Sequence, residues 1–244
     1  DKGVWVEEQK GIALAHQRLS ILDLSKAGHQ PMGSPSGRFI IAYNGEIYNH
    51  LDIRKSLTSM GIAWRGHSDT ETLLAGFDAW GIKKTVEKCV GMFAFGVWDQ
   101  QDNVLTLARD RMGEKPVYFG WQGRGEEACF LFGSEIKSFK SHPSFSGAIN
   151  RSALSLFMRY GYVPGPHSIY EGIFKLQPGH LLSVSAEARS PNIRQYWSLP
   201  KVAAAGIQCA KEYSDKETEA LSKAYKYHYV GDAEETLEEL LEAD

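Results

Sequence analysis

The sequence predicts an α+β layered domain, and three observations predict it. Helical-period segments with start and stop signals come early in the chain. A block of short apolar runs separated by turn-rich segments follows, and a further capped helical segment comes after that block. No internal repeat stands out.

In chain order, residues 12–22 combine a short strand-like run with polar interruptions. Residues 38–48 read as two short strands around Asn44-Gly45, a pair that is the strongest short-range hairpin signal. Asn49 can cap a helix whose apolar face is Ile53, Leu57 and Met60, ending at Gly61. Ser68 and Glu71 have capping-box spacing, and Leu73, Leu74, Phe77 and Trp80 carry the next helix to Gly81. The period then changes. Met92–Trp98, Val104–Ala108, Val117–Trp121 and Cys129–Phe132 predict a meander of antiparallel strands, with turns such as Asp99–Asn103 between them. Asn150 can cap a helix through Leu154, Phe157 and Met158 to Gly161. Pro164, Pro166 and Pro178 break residues 163–180 into a shaped loop plus a strand. Beyond Trp197, Ala203-Ala204-Ala205-Gly206 and a polar, Tyr-rich stretch through Tyr229 read as linker or the start of another domain. Leu237, Leu240 and Leu241, at i, i+3 and i+4, predict a helix at the C-terminal end.

Composition narrows the function. A net charge of -3 supplies no electrostatic reason for binding nucleic acid or an anionic membrane. No apolar run approaches the roughly 20 residues that span a bilayer. Three widely spaced cysteines, Cys89, Cys129 and Cys209, argue against a disulfide framework and fit a reducing, cytoplasmic setting. The histidines are scattered without His-x-x-x-His or Cys-x-x-Cys spacing, so metal binding is unsupported.

Several residues admit both a structural and a chemical reading. Asn44-Gly45 forms a hairpin turn in the first. In the second, a backbone N–H beside an Asn carboxamide stabilises a developing oxyanion, and the two readings are compatible. Arg18, between Leu14 and Leu19, is either a surface cation with a buried stem or a fork for a substrate carboxylate. Asp69 is either a helix-N-terminal acid or the partner of a substrate ammonium. Glu46 is either surface-exposed or part of the same pocket. Cys89 and Cys129 read as small buried hydrophobes without an activating neighbour.

The combination is more specific. Ala15–Asp23 followed by Tyr43–Asn49 resembles the glutaminase domain of glutamine-hydrolysing asparagine synthetases, class II glutamine amidotransferases of the N-terminal-nucleophile type. His67–Glu71, Gly91–Phe95, Ala108–Gly113 and Gly133–Lys137 match in the same order. Ile173–His180 and Tyr196–Pro200 extend the match. The resemblance implies a four-layer α/β/β/α sandwich with two antiparallel sheets, and hydrolysis of glutamine to glutamate and ammonia. In such enzymes an N-terminal cysteine attacks the side-chain amide, with its own amine as base, through a thioester. Carried over by position, Arg18 holds the glutamine carboxylate and Leu19, Ile21 and Leu22 line the pocket. Asn44 and Gly45 form the oxyanion hole, and Glu46 and Asp69 complete the pocket, Asp69 on the substrate ammonium.

The resemblance also sets expectations for the whole protein. Residues 1–196 would be the glutaminase domain, and 197–244 a linker with the truncated start of a synthetase domain. There ATP and Mg2+ activate aspartate and ammonia displaces AMP; the chain itself would carry no cofactor. Its partners would be glutamine and, through that domain, aspartate and ATP, with no nucleic acid or membrane; the oligomeric state stays open. The family opens on Met-Cys-Gly and carries a Ser-Gly-Gly-x-Asp-Ser loop. Neither is present, so the sequence is expected to be an internal piece that is inactive alone. Two alternatives stand beside this reading: a glutamine-binding or interaction module without a nucleophile, and an amidotransferase with another ammonia acceptor.

Overall fold

The structure, a computed structural model, describes residues 2–17, 28–185 and 188–212, with backbone alone for residues 126 and 207–212. Arg18, Leu19, Ile21 and Leu22, most of the stretch after 207 and the C-terminal Leu237–Leu241 pattern therefore lie outside the described residues. The chain divides into two compact units at Trp197/Ser198.

The first unit is built on a six-stranded sheet. Its strands are β3 (Met32–Gly33), β4 (Phe39–Ile47), β5 (Gly91–Asp99), β6 (Val104–Arg109), β10 (His180–Ser185) and β11 (Asn192–Gln195). They lie in the order β11-β10-β6-β5-β4-β3, antiparallel throughout. A second layer of strands lies against one face of this sheet. It comprises the hairpin of β1 (Lys2–Glu7) and β2 (Ile12–Gln17), and the three-stranded sheet of β7 (Tyr118–Gln122), β8 (Cys129–Gly133) and β9 (Phe174–Lys175), ordered β8-β7-β9.

Alternation along the strands sends side chains into two cores. Phe39, Ile41, Tyr43 and Ile47 of β4 pack toward helices α1 (His50–Thr58), α2 (Asp69–Trp80) and α3 (Ile82–Lys88). Phe77 of α2 meets Phe39 and Phe95 there, with ring centroids 5.9 and 5.5 Å apart. Ile40, Trp98, Leu105 and Leu107 point the other way, against Leu14 of β2 and Phe119 of β7. The far face of the three-stranded sheet is covered by a 3-10 turn at Ile136–Ser141 and by Phe145 and Tyr170. Helix α4 (Arg151–Tyr160) follows in that outer segment, tied back by Asn150 N–H donating to Ile169 O at 2.9 Å. Helices, sheet, sheet and helical segment are the four layers of the expected α/β/β/α sandwich.

Local signals hold where the chemistry is local. Ser68 caps α2, its hydroxyl accepting from Glu71 N at 3.2 Å, and Asn150 caps α4 by accepting from Ala153 N at 3.0 Å. The Glu71 carboxylate does not return to Ser68. It accepts instead from Arg65 N and Gly66 N, at 2.7 and 3.0 Å, and shapes the loop before α2.

Four expectations are corrected. Asn44-Gly45 is not a turn: both lie inside β4, opposite Ala94 and Phe93 of β5. The glycine is there for close approach, because a Cβ on Gly45 would sit 2.2 Å from Met92 O. Asn49 precedes α1, but its carboxamide bridges Lys88 O and Val90 N instead of capping, and the helix stops at Thr58, leaving Met60 exposed. The four central runs are not one meander, since β5 and β6 enter one sheet and β7 and β8 the other. Cys129 is half-buried, whereas Cys89 is buried as expected.

The second unit contains α5 (Leu199–Glu212), which occupies the start of the stretch that reads as linker or next domain. Among the described residues no helix is long and apolar enough to cross a membrane.

Candidate active site

Among the described residues β4 is paired at its outward edge only at Ile40 and Ile41, by β3, and from Ala42 to Ile47 that edge meets side chains. Tyr43 N–H donates to Gln30 Oε1 at 2.7 Å, and Ile47 N–H donates to Asp69 Oδ2 at 3.0 Å. Antiparallel pairing turns every second N–H to the same edge, so Gly45 N–H points outward between these two. At this edge lies a cavity of about 920 Å³, lined by Asn44, Gly45, Glu46, the first residues of α2, β2, β8 and the 134–142 segment.

Asp69 joins β4 to α2. It is 5% exposed, and its Oδ2 also accepts from the Tyr43 phenol at 2.6 Å, while Oδ1 accepts from Thr70 N at 2.9 Å. Burial first, and then the Asp69 carboxylate, push the Tyr43 hydroxyl well above the usual tyrosine value, so it stays a proton donor. A carboxylate offers about four lone-pair sites, and three are used here. Among the described residues the fourth is unfilled, on an acid whose orientation is already fixed.

Asn44 and Glu46 alternate to the face that looks at the second layer of strands. Asn44 Nδ2 donates to Ser134 Oγ, just beyond β8, at 3.2 Å. The floor nearby is held by Asp110, which is 0% exposed and accepts from five backbone N–H groups, of Phe93, Met112, Gly113, Glu114 and Lys115, at 2.6–3.2 Å. Arg109 closes the same loop by donating to the carbonyls of Gly113, Lys115 and Leu176. Phe93 is the partner of Gly45, so this loop braces β5 directly behind the open edge and sets Lys115 at the cavity wall.

The structure thus brings Asn44, Gly45, Glu46 and Asp69 to one cavity, while Arg18, Leu19, Ile21 and Leu22 lie outside the described residues. Neither Cys89 nor Cys129 lines it. Cys89 donates to Thr85 O at 3.1 Å, and burial pushes its thiol up to about 12. Sequence reading assigned no role to Gln30, Tyr43, Asp110 or Ser134. Asp110 had a local signal, an aspartate three residues before a glycine, which suits a side chain that folds a turn around itself. Gln30 had none.

This two-sheet sandwich gathers a carboxamide, a backbone N–H and carboxylates at the open edge of β4. The chain belongs to the glutamine amidotransferase domain family, whose model matches residues 1–197, and that membership supports glutamine hydrolysis with release of ammonia. Among similar proteins, asparagine synthetase [glutamine-hydrolyzing] 3 of Bacillus subtilis is 37% identical over 202 residues, 82% of this chain and 31% of its own length. A putative asparagine synthetase [glutamine-hydrolyzing] 2 of Methanocaldococcus jannaschii is 34% identical over 218 residues, 82% of this chain and 41% of its own. The chain thus spans well under half the length of these relatives. In three dimensions it is similar to a glutamine phosphoribosylpyrophosphate amidotransferase from B. subtilis, with a TM-score of 0.53 at 18% identity over 76% of this chain and 35% of that one. This last likeness is one of fold alone.

Proposed function

We propose that the cavity at the β4 edge binds L-glutamine and presents its side-chain amide for hydrolysis, as one half of a glutamine-dependent asparagine synthesis. The observation that carries this reading is the convergence of Asn44, Gly45, Glu46 and Asp69 on one cavity in a chain of this family. Asp69 takes the substrate ammonium with its remaining lone pair, and Arg18 takes the carboxylate. The amide carbonyl then faces Asn44 Nδ2–H and Gly45 N–H. As a nucleophile adds, charge builds on that oxygen, and each donor contributes most at that moment; losing one costs about 100- to 1,000-fold in rate.

The nucleophile is an N-terminal cysteine thiol. Its sulfur bonds to the amide carbon, the C–N bond breaks, and ammonia leaves with the proton held by the cysteine's own amine. Water then cleaves the thioester to glutamate. Among the described residues β2 pairs only with β1 and β8 only with β7, and both line the cavity. In this reading the ammonia serves a synthetase domain that takes aspartate, ATP and Mg2+.

Titration calorimetry of the chain with L-glutamine tests the reading. The expected result is saturable binding of L-glutamine, none of D-glutamine, and loss of binding in Arg18→Ala. Absence of heat with L-glutamine, or equal binding by wild type and Arg18→Ala, would overturn the assignment.

A further inference from the structure

Asn44 and Ser134 stand on different sheets and meet across the cavity. Asn44 is held by the ladder between β4 and β5, Ser134 by the end of β8, where Gly133 pairs with Tyr118. The segment after Ser134 is fixed as well, because Ser138 donates to Glu135 O through both its N–H and its hydroxyl, at 3.2 and 2.7 Å. Two rigid backbones thus set the 3.2 Å contact from Asn44 Nδ2 to Ser134 Oγ.

A carboxamide has two ends of opposite character. If its oxygen faced a ligand carbonyl, two acceptors would oppose each other and a developing negative charge would be repelled. If its NH2 faces that space, one N–H can be held by the protein while the other meets the ligand. We propose that Ser134 is a positioning residue: by accepting one Asn44 N–H, it keeps the NH2 end between the sheets and leaves the second N–H aimed at a ligand's carbonyl oxygen. This rests on the reading of the cavity as a site for a side-chain amide. It adds that selectivity for the amide depends on a hydroxyl from the opposite sheet. Ser134 therefore touches no reacting atom and acts through Asn44.

Two ligands separate this role from a merely structural one. L-norvaline has the glutamine backbone and side-chain carbons but lacks the carbonyl oxygen that Asn44 would meet. In calorimetric titrations of the 244-residue chain, Ser134→Ala weakens L-glutamine binding roughly 3- to 10-fold, the scale of one neutral hydrogen bond. It leaves L-norvaline binding unchanged, and Ser134→Thr restores glutamine affinity. Asn44→Ala shows the same selective loss, and the double variant loses no more than either single one. Equal loss for both ligands, no loss for glutamine, or additive losses would overturn the positioning role while leaving the glutamine site standing. A wild-type chain that binds no glutamine overturns the site reading itself. The Asn44–Ser134 contact is then judged on the ligand-free protein by 15N NMR. Exchange of the Asn44 side-chain amide protons rises several-fold in Ser134→Ala if the contact holds them, and an unchanged rate overturns it.

Discussion

Tyr43 and Asp69 lock strand to helix: the phenol of the first donates to Oδ2 of the second at 2.6 Å, with both side chains almost wholly buried. Tyr43 is adjacent to the Asn44-Gly45 pair, and Asp69 is the first residue of α2. The bond therefore fixes the spacing between the carboxylate proposed to meet an ammonium and the donors proposed to meet a carbonyl.

Tyr43→Phe removes this donor while leaving the ring in the core. A hydrogen bond to a carboxylate contributes about 1.5–3 kcal/mol, so urea denaturation should show a loss on that scale. The phenol's pKa is raised in the fold, so the native state keeps a proton that the unfolded chain gives up near pH 10. Stability is thus full below about pH 10 and falls as pH rises toward the folded value. The variant should flatten that alkaline decline without abolishing it, since burial also raises Tyr196, whose hydroxyl donates to Arg109 O at 2.8 Å.

Asp110→Asn keeps the shape and replaces one acceptor oxygen with a donor facing backbone N–H groups. With five N–H groups gathered on this carboxylate, a loss of about 3 kcal/mol or more is expected in the same assay. Asp102→Asn, at a largely exposed partner of Arg38, should cost under about 0.5 kcal/mol. Similar losses for the two variants would contradict the bracing role of Asp110.

The Asp99 carboxyl gives an acid limb. Burial alone would raise it, but hydrogen bonds from Arg38 and from the N–H groups of Asp102 and Gln101 outweigh that and hold it below the usual value. A depressed folded value contributes stability present above about pH 4, the ordinary carboxylate range, and lost as pH falls through the folded value. Arg38→Ala should cost about 1 kcal/mol at pH 7, because the guanidinium is a third exposed. The stability curves of variant and wild type should converge once the pH lies below the folded value.

Thiol labelling reads the core directly. In a chain retaining Cys89 alone, with Cys129→Ser and Cys209→Ser, a disulfide reagent at pH 8 should react only as the fold opens, and fully in denaturant. Rapid labelling of the native chain would show that Cys89 is not sealed beneath α3.

Reading the fold from sequence succeeded where one residue acts on its neighbours. Ser68 and Asn150 announce their helices because a cap needs only the next turn. Asn44-Gly45 misled for the opposite reason: nothing local reveals that β5, beyond α3, will pair along the whole of β4 and keep the pair extended. The site divides the same way. The resemblance named Asn44, Gly45, Glu46 and Asp69, which line one cavity, but Ser134 and Gln30 gain their partners only when the sheets and the β4 edge are assembled. No spacing within the chain encodes that.

Among the described residues β2 and β8 each keep one unpaired flank, with a consequence for solubility. An extended edge with free N–H and C=O groups accepts any segment that arrives in strand form, including one from a second copy of the same chain. Self-association of this polypeptide should therefore rise with its concentration and fall when those edges are paired. Any strand that pairs with those edges would also protect the molecule against aggregation.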